Sequence, residues 1–325
     1  MVRPSGKLQQ PDRSAHDFLL AQDVIWASPR GFDLTMDIYT PQTAKTAYPV
    51  IIIYHGGGWL INDKGIMEDA AAYLASHGEY VICNVNYRLL GDLNNTVTMD
   101  EIIGDAFGAA LWVMDNIAEY GGDPHQLIVT GDSAGGHLAT LVATEGHRTG
   151  DQQFEAPHFG FRPSYIPSSD WEGKQLSVKA ALISYGAFDL YAAAKTDFEG
   201  PENDLWARGE TVPRGIFGNH RNPETDAEYY YAVSPLYLVA PASAVTYPPM
   251  LFTVGARDNI TTPASIQKYI EKLQQAGHRD LTYWVHDDRP HAFLDSGSND
   301  LLETEFNKDA VPALEYMLDF LEHLF

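Results

Sequence analysis

The segment Gly131-Asp132-Ser133-Ala134-Gly135-Gly136 carries the strongest chemical signal in the chain. The apolar run Leu127-Ile128-Val129 leads into it, and His137-Leu138-Ala139-Thr140-Leu141 leads out. A strand that turns sharply into a helix at a serine exposes the hydroxyl and places it at the helix N-terminus, where negative charge is stabilised. Glycines at 131 and 135 suit such a turn because side chains there would strike neighbouring backbone. Taken alone, G-x-S-x-G is also compatible with an ordinary turn. A second glycine segment, His55-Gly56-Gly57-Gly58-Trp59, follows the β-branched run Val50-Ile51-Ile52-Ile53-Tyr54. Consecutive glycines leave backbone N–H groups uncovered, and such a loop can aim two donors at an oxyanion. The plain alternative is a flexible turn. A phosphate-binding loop is disfavoured, since neither glycine segment has the Gly-Lys-Ser/Thr ending or the G-x-G-x-x-G spacing.

With both motifs present, the chain resembles the α/β-hydrolase superfamily. Within it, the chain is similar to the hormone-sensitive-lipase-like esterases and the related bifunctional carbohydrate-esterase and feruloyl-esterase-like group. The resemblance runs from about Asp23 to the C-terminus and is weakest from about Gly146 to Ala244. It takes in Leu34-Thr35-Met36-Asp37-Ile38-Tyr39-Thr40-Pro41, Asn86-Tyr87-Arg88-Leu89, Trp112 and Gly121-Gly122-Asp123-Pro124. It implies an α/β fold with a mostly parallel central sheet flanked by helices, and a catalytic set in the chain order Ser, acid, His.

On that order Ser133 is the nucleophile, Asp258 the acid and His291 the base. Asp258 follows the strand-like Pro249–Gly255, and His291 follows the strand-like Leu281–Val285. A helical run, Pro263–Ala276, lies between them, so both residues would reach the sheet edge that holds Ser133. The acid is followed by Asn259-Ile260 where the family commonly has Pro and Leu, and Ala292 stands for the usual glycine after the histidine. Neither departure removes a functional group. Among rivals, His286 sits at a strand end, His137 would point along its helix, and His55 would brace the glycine loop. Asp287 and Asp288 are too close to His291 in the chain to face it without an awkward loop. The resemblance further implies an oxyanion hole of the N–H groups of Gly57, Gly58 and Ala134. Trp59 and Asn62, just after the glycine loop, could contact substrate. No cofactor is implied, and no metal: there is no H-E-x-x-H and no cysteine pair. Arg88 reads as a structural ion-pair partner and Asp132 as a loop brace.

These residues need a frame to hold them. Strand-like segments at 23–27 and 33–39 could form an edge hairpin. Parallel strands are expected at 49–54, 80–86, 126–131, 178–185, 248–254 and 281–286. Helices are expected at 66–77, 100–119, 133–146, 263–276 and 309–324. The stretch from Thr149 departs from this alternation, with Gly150–Gly173 loop-like. Residues 187–245, rich in aromatics and Pro, read as a cap-like insertion over the C-terminal edge of the sheet, within a single catalytic domain spanning 1–325. Its aromatics include Trp206, Phe217, Tyr229, Tyr230 and Tyr231, of which a few should line the pocket.

Composition narrows the partners. A net charge of −23 argues against nucleic acid and polyanionic substrates. No apolar run is long enough to span a membrane. Met1–Leu20 is polar and lacks the apolar core of a signal peptide, and the single cysteine, Cys83, cannot form an internal disulfide; both fit a cytoplasmic protein. Surface elements at the C-terminal edge of the sheet could mediate a homodimer.

The leading expectation is a serine hydrolase of short-acyl carboxylic esters acting through an acyl-enzyme. The short segment before the glycine loop, Leu34–Pro41 and Lys64 lean toward acetylated sugars or hydroxycinnamate esters. An arylformamidase-like amide hydrolase is the second enzyme reading. A non-catalytic binding protein on a hydrolase fold is the third, though such proteins usually lack a member of the catalytic set.

Overall fold

Eight strands form one sheet: β1 (Phe18–Ala27), β2 (Leu34–Pro41), β3 (Tyr48–Tyr54), β4 (Val81–Val85), β5 (Gly122–Asp132), β6 (Ala180–Ser184), β7 (Met250–Gly255) and β8 (Leu281–His286). The computed structural model describes residues 13–150, 154–155, 159–167, 176–300 and 302–325. The spatial order is β1-β2-β4-β3-β5-β6-β7-β8. From β4 to β8 every neighbouring pair is parallel, while β2 runs antiparallel to both β1 and β4. The anticipated edge hairpin is therefore present.

The parallel strands show why no period-2 pattern marks them. Every residue of β3, β4, β6 and β7 is buried. Sheets covered on both faces read as continuous apolar runs, and each fully buried Ile, Val or Leu contributes roughly 1.5–3 kcal/mol. Cys83 lies in β4 and is fully buried. The flanking helices are amphipathic where one face meets solvent: Pro263–Gln275 buries Ile266, Tyr269, Ile270 and Leu273, spaced at three and four residues. Ala134–Glu145, which starts directly after Ser133, is buried along nearly all its length. Met99–Asn116 begins with a capping box of Thr98 and Glu101. Arg88 is buried and clamped by Asp105 at 2.7 and 2.8 Å and by Glu101 at 3.0 Å, the structural role anticipated for it.

Two features differ from expectation. β1 starts at Phe18, five residues before the anticipated Asp23. Half of it is exposed at the sheet edge, and its register slips between Ala21 and Val24, where Asp23 takes φ 53°. An exposed, bulged edge strand carries no apolar alternation to reveal it. Second, a short hairpin of β9 (Ser298–Asn299) and β10 (Thr304–Glu305) follows the histidine loop and was not anticipated.

Residues 187–245 hold only short helices, Leu190–Lys195, Asp204–Arg208, Ala227–Ala232 and Pro235–Leu238, joined by irregular backbone. Of the loop-like 150–173, residues 151–153, 156–158 and 168–173 lie outside the described residues, as do 1–12 of the polar N-terminal stretch. Among the described residues no helix is long and apolar enough to cross a membrane.

Candidate active site

Parallel strands deliver their C-terminal ends to one edge, and the three candidate residues sit just past three such ends. Ser133 directly follows β5, Asp258 lies three residues past β7, and His291 five past β8. Ser133 occupies φ 51°, ψ −114°, a backbone region that costs a non-glycine residue about 1–3 kcal/mol. The packing shows what enforces that turn. A Cβ on Gly135 would lie 1.9 Å from the carbonyl oxygen of Tyr54, and one on Gly131 would lie 2.4 Å from Gly135. The turn is anchored by the Ser133 N–H donating to the Ser184 carbonyl at 3.0 Å, and the Ser133 carbonyl accepting from His137 N at 3.1 Å.

The three side chains form a continuous hydrogen-bonded chain. His291 Nε2 lies 2.9 Å from Ser133 Oγ, and His291 Nδ1 lies 2.8 Å from Asp258 Oδ2. With the proton on Nδ1, the ring donates to Asp258 and its Nε2 lone pair faces the serine hydroxyl. Asp258 is tightly satisfied. Its Oδ1 accepts from the N–H groups of Ile260 and Thr261, each at 2.9 Å, and its Oδ2 also accepts from the Thr261 hydroxyl at 3.1 Å. Thr261 Oγ1 is in addition 3.2 Å from His291 Nδ1. Thr261 was missed in the sequence, although the D-x-x-T spacing of a side-chain-to-backbone turn was there to be read. The Tyr185 ring meets the His291 ring edge-on at 4.8 Å.

The glycine loop lies against this set. Gly57 has φ 119°, and a Cβ there would lie 2.2 Å from the Ile61 carbonyl oxygen, so only glycine fits. Gly57 and Gly58 border the same cavity as Ser133 and Ala134. Among the described residues, the N–H groups of Gly57, Gly58 and Ala134 donate no hydrogen bond. His55 braces the loop as anticipated: its Nδ1 donates to the Gly56 carbonyl at 2.8 Å and its ring stacks on Tyr87. Burial pushes His55 down to about 4, so the ring is neutral. His137 points away from Ser133 to the Val233 carbonyl at 2.7 Å, and burial likewise lowers it to about 4. His286 bonds the Asp309 carbonyl. Asp288 pairs with Arg257 on the surface, far from the role of acid.

Asp132 lies against Gly56 and Tyr185, whose N–H and hydroxyl favour its charged form. Burial pushes its carboxyl up to about 6, against the opposing pull of His291. Its Oδ1 has no hydrogen-bond partner.

A cavity of about 1000 Å³ opens above Ser133. Trp59 and Asn62 border it, Trp59 with its ring edge-on to His137 and Phe198. Lys64 does not reach it and instead pairs with Asp23 and Asp37. The other wall comes from 186–208, Leu236 and the loop after His291. None of Trp206, Phe217, Tyr229, Tyr230 or Tyr231 lines the cavity; Phe188 and Phe198 do. Phe217 stacks on Phe154, Tyr229 meets Phe154 edge-on, and the Trp206 indole donates to the Phe198 carbonyl, so these rings hold the segment together. Among the described residues no cluster of His, Cys, Asp or Glu has the makings of a metal site.

Comparison with known proteins adds family to geometry. Carboxylesterase NlhH of Mycobacterium tuberculosis is 33% identical over 111 residues, 34% of each chain. Esterase LipQ of the same organism is 28% identical over 267 residues, 82% of this chain and 55% of LipQ. The chain thus spans between a third and just over half the length of these relatives. Among solved structures, esterase 2 of Thermogutta terrifontis with propionate bound superposes with a TM-score of 0.65 at 23% identity, covering 96% of each chain. The BD-FAE family matches residues 36–273, most of the chain, from within β2 through the serine turn to the helix after Asp258. The chain therefore belongs to the BD-FAE family, a hormone-sensitive-lipase-like group with the α/β-hydrolase fold.

Proposed function

We propose that this protein is a serine carboxylic-ester hydrolase that cleaves short-acyl esters through an acyl-enzyme. The observation that carries this reading is the hydrogen-bonded chain Ser133–His291–Asp258 opening onto a cavity beside three unpaired N–H groups. A serine hydroxyl is a poor nucleophile until a base accepts its proton. His291 Nε2 takes that proton as Oγ attacks the ester carbonyl carbon. Asp258 holds the ring in the tautomer that leaves Nε2 free and stabilises the imidazolium. The carbonyl oxygen becomes an oxyanion, which accepts hydrogen bonds from the N–H groups of Gly57, Gly58 and Ala134. A lost donor of this kind costs about 2.7–4 kcal/mol. His291 then returns the proton to the departing alcohol oxygen. Water, deprotonated by the same nitrogen, cleaves the acyl-enzyme.

Phe188, Leu190, Phe198, Leu205 and Leu236 give one part of the cavity an apolar wall, which suits a short acyl chain. The likeness to an esterase structure with propionate bound supports the same size class. Asn62, Asp204, Arg208 and Asp295 make the rest polar, which supports a hydroxylated alcohol such as a sugar as leaving group. Residues 187–245 act as the cap over this site.

The test is a panel of p-nitrophenyl esters from acetate to palmitate, acetylated xylose, methyl ferulate and N-formylkynurenine, with wild type beside Ser133→Ala. Short-chain or sugar-ester turnover that vanishes in the variant supports the proposal. Cleavage of N-formylkynurenine alone replaces it with amide hydrolysis. A folded protein inert on all of them revives the binding-protein reading.

A further inference from the structure

The acid of the set receives one hydrogen bond that the mechanism above leaves without a role. Asp258 is buried, and each of its carboxylate oxygens has two donors. Oδ1 takes the N–H groups of Ile260 and Thr261, and Oδ2 takes His291 Nδ1–H and the Thr261 hydroxyl. An ionised carboxylate has about four lone-pair sites, so none is left over. Three of these donors come from the backbone or from the base itself. The fourth is there only because residue 261 carries a hydroxyl.

Thr261 is fixed from both sides. Its own N–H donates to Asp258 Oδ1 at 2.9 Å, and the next residue, Thr262, caps the helix Pro263–Gln275 by accepting from Ser265 N–H. Thr261 is buried, with Oγ1 3.1 Å from Asp258 Oδ2 and 3.2 Å from His291 Nδ1. Oδ2 of the ionised acid can only accept, so the hydroxyl proton goes to it and leaves Oγ1 lone pairs for the ring. Nδ1–H then faces two acceptors, and both favour the tautomer whose Nε2 is free to face Ser133.

The hydroxyl acts on charge as well as on orientation. Each donor favours the ionised carboxylate and spreads its negative charge. A carboxylate bound by four donors draws the imidazolium less strongly than one bound by three. The ring then gives up its extra proton at lower pH, where Nε2 becomes free to act as base. We propose that Thr261 is a positioning residue whose hydroxyl fixes the His291 tautomer and, by weakening the hold of Asp258 on the imidazolium, extends activity toward lower pH. This rests on the ester-hydrolase reading and concerns how that site is switched on.

The other groups around the ring do not depend on this hydroxyl. Ser133 and Tyr185 face it from the ends of β5 and β6, and Asp132 lies within reach of its charge. On the histidine's own loop Asp287 is exposed, Asp288 pairs with Arg257, and Arg289 pairs with Asp309. Asp295, Arg208 and Lys268 border the same cavity. These groups shape the profile of every variant alike, so the difference between variants isolates Thr261.

The experiment measures kcat/KM on p-nitrophenyl acetate from about pH 5 to 9 for wild type, Thr261→Val and Thr261→Ser, with melting curves beside them. The p-nitrophenolate departs without needing a proton, so the acid limb reports the base alone. Thr261→Val keeps the bulk and removes the hydroxyl. It should move the acid limb up by about half to one pH unit, so that its loss of activity is several-fold larger at low pH than at high pH. Thr261→Ser should bring the limb back to its wild-type position. Thr261→Ala removes the same hydroxyl and stands in if the valine variant melts early. A loss that is even across the pH range, or a limb that moves down or stays in place, overturns the proposal. So does a serine variant that behaves like valine. The downfield proton resonance of His291 Nδ1–H, titrated in the same variants without substrate, should show the same displacement. If wild type cleaves no ester, the ester-hydrolase reading falls and this titration still decides the role of Thr261.

Discussion

The floor of the cavity and its roof are built by different means. The floor is three strand ends of a buried parallel sheet, with Ser133, Asp258 and His291 each within five residues of β5, β7 or β8. The roof, 187–245, has helices of four to six residues and hangs on side chains that bond backbone. Arg214 shows how. Its guanidinium donates to the carbonyls of Asn95, Leu90, Val97 and Gly215 at 2.5–2.8 Å and so ties the roof to the segment after β4. Glu199 does the same from within, accepting from Ile216 N–H and the Tyr230 hydroxyl. Position on the floor is set by the sheet; position in the roof is set by individual polar contacts. Changes to the floor should therefore strike the chemical step, and changes to the roof should strike binding and stability.

The sharpest division comes from Ser133→Ala, which should lower kcat on p-nitrophenyl acetate on the order of 10⁵–10⁶-fold with little change in melting temperature. Asp258→Asn should cost about 10⁴-fold in kcat, because the amide favours the wrong imidazole tautomer. Steady-state kinetics beside a melting curve check both; an equal loss in KM would break the distinction. Arg214→Ala leaves several buried carbonyls unpaired, each costing about 1–3 kcal/mol. It should lower the melting temperature by several degrees and raise KM several-fold, with kcat within about twofold of wild type. A kcat loss as large as that of a floor variant would show that the roof takes part in chemistry.

The smallest effect is a pH dependence that spans both regions. His55 on the floor and His137, bonded to Val233 of the roof, are held neutral by burial, each near 4 against an ordinary 6.5. As pH falls below 6.5 the unfolded chain takes up protons first, so stability is intact above that value and is lost on the way down to 4. Between pH 7 and pH 5 each ring should cost about 2 kcal/mol. Thermal melts of His137→Gln, which keeps a donor for Val233, should lose about half of the fall seen between those pH values.

The same contrast explains what could be read in advance. The meeting of Ser133 and His291 past two strand ends was legible because glycine spacing and apolar runs mark strand ends, and a parallel sheet brings such ends together. The six parallel strands from β3 to β8 and the five long helices were found for the same reason, with boundaries shifting by a few residues. Thr261 escaped because its role depends on a turn that Asp258 closes on itself, in a place where attention fell on the missing Pro and Leu. Arg214 and Glu199 escaped because a side chain bonding distant carbonyls leaves no periodic trace. The aromatics of 187–245 were visible, but hydrophobicity does not say which way a ring faces, and the rings chosen pack inside the roof while Phe188 and Phe198 reach the cavity.

The distance along the chain between partners in the site has a consequence for when the protein becomes active. Ser133 and His291 are 158 residues apart in sequence and meet only after β6, β7 and β8 have been laid down in order. At about 5–20 residues per second, synthesis of that interval takes roughly 10–30 s, during which Ser133 exists without His291. A nascent chain ending before β8 holds a strained serine turn with no histidine beside it. Turnover during refolding would accordingly time the docking of the last strand, a later event than collapse of the core.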